Sequence, residues 1–292
     1  MKRILSTVTV LALLALIFVS VTKCGNRNNP ITKTHSDYSV YERVLKDSVI
    51  RCGYTIYPPG CIKDSAGKLR GVFVETLEKA ASDLGLKVEW VEEVGWDTQI
   101  QGLENDRYDM IGSSVWSNPK RAKLTTLTIP LYFSPIDIYT RIDDNRFDNV
   151  SDWSLLNDPK YRISVVDGAT GDVIRKTRFP KATAVSLPEN TDFGTSFLDV
   201  VNRKADFLLL EPYQASKFIQ NNGYKVKDIS KTRPLFIFGN SYMFKRNQPE
   251  FEHMLNTELQ NLINNGFVDD LLIRYEIFSN SFLRVQKPFA IN

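Results

Sequence analysis

The chain has 292 residues with an ordinary apolar share of 42%, enough for one large or two medium domains. Its formal charge is +3, but without Lys2, Arg3 and Lys23 of the first stretch 34 basic residues face 34 acidic ones. A body so balanced excludes the surplus of positive charge that a nucleic-acid surface needs.

The first 23 residues read as a signal peptide or signal-anchor: "MKR", then the uncharged apolar run "ILSTVTVLALLALIFVSV". The run ends at "VTKC", which resembles the lipobox of bacterial lipoproteins, with Cys24 as the residue to be lipidated. Lys23 stands where that pattern has a small residue, so lipidation, an uncleaved anchor and other cleavage all stay open. Any of these places the body outside the cytoplasm. Residues 24–44 read as a polar tether.

In the body, "SVIRCGYTI" is predicted as a buried strand, broken by "YPPG". "DSAGKLRGVFV" reads as a turn and short strand. "VETLEKAASDLG" has helical spacing, with Val74, Leu77, Ala81 and Leu84 on one face and Gly85 as the stop. "KVEWVEE" is a strand, "WDTQIQGLEND" a short helix with Ile100 and Leu103 inward, and "YDMIGSSV" a strand. The alternation then repeats with "YRISVVDG", "GATGDVIRK", "KATAVSLP", "TSFLDVVNRK" and "ADFLLLEP". "SYMFKR" follows, and then the helical "PEFEHMLNTELQNLINNG" and "FVDDLLIRY". Strands alternating with helices predict an α/β protein of two units. The linking segments fall near 132–139 and 236–241.

Cys52 and Cys61 could form a disulfide in an exported protein, but their separation is not in the sequence. Their spacing is not that of a zinc site, and only His35 and His253 could add imidazoles, so no metal or cofactor is expected.

Seven phrases, among them "VIRCGYTIYPP", "WDTQIQGLENDRYDMI", "NPKRAKLTTLTIPLYFS" and "RKADFLLLEP", stand in the order of a known family. The body from about residue 49 to 275 resembles the periplasmic solute-binding proteins of ABC importers, of the polar amino-acid-binding type. The resemblance implies a two-lobed type II periplasmic-binding-protein fold, with mixed sheets flanked by helices and a two-strand hinge. Lobe 1 is expected at 45–136 plus 240–292 and lobe 2 at 137–239. It also implies a monomer, capture of an amino-acid-like solute by hinge closure, delivery to a membrane permease, and no covalent chemistry.

Arg121 carries a planar donor fork that matches a carboxylate, and "NPKRAK" matches the phrase in which the family grips the ligand carboxylate. Read alone it is an ordinary surface or turn arginine. Ser113 and Ser114 match the small residues before it. Thr170 stands where a helix begins and free N–H groups favour an anion, though a plain N-cap fits as well. Glu211 follows a buried strand where the family has an aspartate that pairs with the ligand ammonium. Tyr57 and Trp96 match rings that sandwich the ligand side chain, with core packing as the plain alternative. Trp116 departs from the family's small polar residue and must fill the cleft or turn away. Gly60 replaces a phenylalanine, and "GYTIYPP" lacks the acid that can bind a basic side chain, so a strongly basic ligand is not expected.

Two other classes compete. A cyclohexadienyl or arogenate dehydratase-like enzyme on the same fold would use Glu211 or Glu75 as a general acid, but needs a raised pKa and a partner not evident here. A solute sensor subunit would need a partner receptor, since no second apolar span or cytoplasmic module is expected after the last helix.

Overall fold

The computed structural model describes residues 39–189, 191–279 and 281–285. The leader, Cys24, His35 and most of the tether lie outside the described residues. The helices are α1 (Val40–Asp47), α2 (Val72–Asp83), α3 (Gln99–Glu104), α4 (Pro119–Leu124), α5 (Thr170–Arg178), α6 (Phe193–Val201), α7 (Pro212–Asn222), α8 (Pro249–Asn264) and α9 (Phe267–Tyr275). The longer strands are β1 (Val49–Tyr54), β4 (Lys87–Glu93), β5 (Met110–Trp116), β7 (Tyr132–Arg141), β8 (Arg162–Val166), β9 (Thr183–Leu187), β10 (Phe207–Leu210) and β12 (Phe236–Lys245). Short strands are β2 (Ile62–Lys63), β3 (Leu69–Arg70), β6 (Thr125–Leu127), β11 (Val226–Asp228) and β13 (Leu283–Arg284).

The main sheet runs β4-β1-β5-β12-β7-β10-β8-β9. β4, β1 and β5 are mutually parallel, as are β10, β8 and β9. β12 and β7 join these triplets antiparallel. The two segments that the sequence marks as links are therefore long strands. β7 changes partner along its length: Ile136 faces Phe236 of β12, whereas Asp137 faces Leu210 of β10.

Each triplet has its own core. Phe251, Leu255 and Leu259 of α8, spaced one turn apart, are fully buried against Phe73 and Leu77 of α2. Each such side chain contributes about 1.5–3 kcal/mol on burial. On the other side Phe147, Ile163, Phe179 and Phe207 form a separate cluster. Gly85, the expected helix stop, adopts φ +71° and donates its N–H to Ser82 O at 3.0 Å.

The stretch read as tether ends in a helix. Ser39 Oγ accepts from Glu42 N while Glu42 Oε2 accepts from Ser39 N, a reciprocal cap that starts α1. Arg43 then buries its guanidinium against Asp109, which also accepts from Arg51 Nη2 at 2.9 Å. Such pairing across distant segments was not legible in local pattern. Cys52 and Cys61 are both buried and free.

Candidate ligand-binding site

β5 delivers one wall of a cavity that encloses about 760 Å³, part of it open to solvent. Strand side chains alternate faces, so Ser114 and Trp116 reach the cavity and Ser113 does not. Ser113 is instead fully buried, its Oγ accepting from Thr55 N at 3.0 Å. Ser114 Oγ and Trp116 Nε1 both donate to Asn240 Oδ1, at 2.7 and 2.8 Å. The Trp116 ring stacks on Phe238 with centroids 5.5 Å apart, so it fills cleft volume in a fixed plane. Gly60 explains its own small size: a Cβ there would lie 3.0 Å from Ser114 Cβ.

After β5 the chain turns into α4, which Asn118 caps by accepting from Arg121 N at 2.9 Å. That cap sends the Arg121 side chain back along the cavity, where Nη1 donates to Trp116 O at 2.9 Å. No carboxylate among the described residues pairs with it. Loss of water lowers its pKa to about 10, so it remains a cation at neutral pH.

Tyr57 is 8% exposed and still lines the cavity. Its ring meets Trp96, Trp116 and Phe193 edge-on, with centroids 5.6, 6.2 and 5.9 Å away. Backbone bonds from Tyr57 to Cys61 and back hold this turn closed. Phe193 escaped the sequence reading. Its only local sign is an aspartate cap followed by a large apolar residue at the first position of α6.

From the opposite wall, α5 begins at Thr170 with Ala169 as its N-cap and no side-chain capping bond. Thr170 is therefore not a cap; it lines the cavity beside Gly171. The backbone N–H groups of Thr170 and Gly171 meet no acceptor among the described residues, as expected for a first helical turn.

Glu211 differs from expectation. It is 1% exposed and absent from the cavity wall. Burial pushes its pKa up, partly opposed by the Tyr57 and Ser134 hydroxyls and the Gln214 amide beside it. One carboxyl oxygen, Oε1, is buried without a hydrogen-bond partner. Depth of this kind depends on the packing of β10 and α7 against Tyr57, which the sequence does not display. Among the described residues no cluster of His, Cys, Asp and Glu could hold a metal, and no helix is long and apolar enough to cross a membrane.

The model of the bacterial extracellular solute-binding proteins, family 3, matches residues 50–277. The chain belongs to that family. Among family relatives, the probable amino-acid ABC transporter-binding protein of Haemophilus influenzae is 35% identical over 114 residues, 39% of this chain and 44% of that one. The L-cystine-binding protein TcyA of Bacillus subtilis is 31% identical over 119 residues, 38% of this chain and 44% of its own. The matches thus span less than half the length of these two relatives. A solved structure of the ancestral amino acid-binding protein AncCDT-1, a precursor of cyclohexadienyl dehydratase, superposes with a TM-score of 0.68 at 24% identity. It covers 82% of this chain and 100% of that chain. That likeness is one of fold: two lobes of the type II periplasmic-binding-protein kind, joined by a two-strand hinge.

Proposed function

We propose that this family member is the extracytoplasmic binding subunit of an ABC importer, a monomer that captures an amino acid or related small carboxylate-bearing molecule by hinge closure. Arg121 grips the carboxylate, and the N–H groups of Thr170 and Gly171 meet it from the opposite wall. Tyr57, Trp96 and Trp116 cover the body of the solute. The observation that carries this reading is a guanidinium in the cavity wall with no counter-charge of its own. A bound carboxylate would restore what desolvation removes.

Lobe 1 comprises 45–136 plus 240–292 and lobe 2 comprises 137–239. The change of partner in β7 between Ile136 and Asp137 supports the first crossing point. The reading includes no covalent chemistry, and the descriptions of both relatives as binding proteins support that. The Haemophilus relative's description as an amino-acid transporter-binding protein supports import.

Calorimetry with a panel of amino acids and their 2-oxo and 2-hydroxy analogues tests it. Arg121→Ala should weaken the best binder at least a hundredfold. A loss of less than threefold would remove the arginine from the site.

A further inference from the structure

The cavity wall is nearly neutral apart from Arg121. Two of its hydroxyls are already committed inward, since Ser114 Oγ donates to Asn240 and Ser164 Oγ donates to Asp199 at 3.0 Å. The acids nearby are engaged or withdrawn. Asp199 is 3% exposed and pairs with Lys204, and Asp172 is held by Lys176 at 2.6 Å. Glu211 is beneath the wall. A cationic side chain entering here would lose its water and find no counter-ion, and an acidic one would find no second cation.

What the wall does offer is flat and apolar. Tyr57, Trp96, Trp116 and Phe193 supply rings, and Ile136 and Val165 supply aliphatic surface. Phe193 is placed firmly, because Asp192 Oδ1 accepts from Gly194 N at 2.8 Å and fixes the start of α6. Its ring meets Tyr57 edge-on at 5.9 Å and lines the cavity with Trp96 and Trp116.

We infer that the solute carries a bulky, uncharged, apolar side chain, and that Phe193 is the residue that reads its size. The inference rests on the carboxylate-binding reading above. Removing Phe193 opens space where the side chain ends, so discrimination by size falls while the grip on the carboxylate stays.

Calorimetry on the full chain, with L-phenylalanine, L-leucine, L-methionine, L-arginine, L-lysine, L-glutamate and L-alanine as probes, decides this. At least one of the first three should bind at least tenfold more tightly than each of the others. Phe193→Ala should weaken that probe tenfold or more, and Phe193→Leu should return it to within threefold, with thermal melts matching the parent's. Arginine, lysine or glutamate binding as tightly as the best apolar probe, with Arg121→Ala abolishing it, overturns the inference and leaves the carboxylate site standing. Unchanged discrimination in Phe193→Ala overturns the role of Phe193. No binding by any probe overturns both.

Discussion

Trp116 Nε1 lies 2.8 Å from Asn240 Oδ1, and this bond fastens the cavity wall to β12. The same oxygen accepts from Ser114, while Asn240 Nδ2 donates to Ser134 Oγ at 3.0 Å. Asn240 is 1% exposed, so its amide makes these bonds away from bulk water. Asn240→Ala should cost about 1–3 kcal/mol of stability. It should also release the Trp116 ring, lowering affinity for the best binder about tenfold and changing tryptophan fluorescence. Unchanged fluorescence and affinity would show that the ring holds without it.

Arg121→Lys separates charge from fork geometry. Lysine retains the charge but offers a single point donor, so affinity should fall tenfold or more, although less than in Arg121→Ala. Equal affinity for parent and lysine variant, measured by calorimetry, would mean that charge alone is read.

Asp137 should make the stability of the protein depend on pH. It is 3% exposed, and burial together with the charge of Asp228 raises its pKa to about 7. Ser230 Oγ lies 3.1 Å from a carboxyl oxygen of each. An unfolded aspartate ionises near pH ~3.9, so the folded state holds the proton longer. Stability should therefore decline as pH rises from about 4 to about 7 and then level off. Asp137→Asn should flatten that decline, read by denaturant unfolding at pH 5 and pH 8. An unchanged slope would assign the proton elsewhere.

Asp109 anchors α1 to the body by accepting from Arg43 and Arg51. Asp109→Ala would leave the buried Arg43 guanidinium only Asp47 and the Val49 carbonyl as acceptors, and stability should fall by about 1–3 kcal/mol. Ligand affinity well below the melting temperature should not change, because neither arginine touches the cavity.

The alternation of strands and helices was legible because each element carries its own period. The helix start at Asn118 was legible because an Asn-Pro pair is a local feature, whereas Arg121 read alone is an ordinary turn arginine and stood out only through the family resemblance of its phrase. Ser113 shows where local reading needs one more step: adjacent strand residues face opposite ways, so only one of the serine pair lines the cavity. Phe193, Asn240 and the depth of Glu211 were not legible, since each is defined by residues far away in sequence. Asn240 lies in a segment marked only as a link, and its partners Ser114 and Ser134 are more than a hundred positions earlier.

The hinge strands bear on how the molecule moves. β7 has ladder partners on both sides of the Ile136–Asp137 peptide, so the pivot has no slack in it. Opening of the kind proposed above would have to wind a hydrogen-bonded ribbon instead of swinging a loose tether. Such a joint resists large excursions and favours a narrow arc, so the jaws should meet in the same alignment on every cycle.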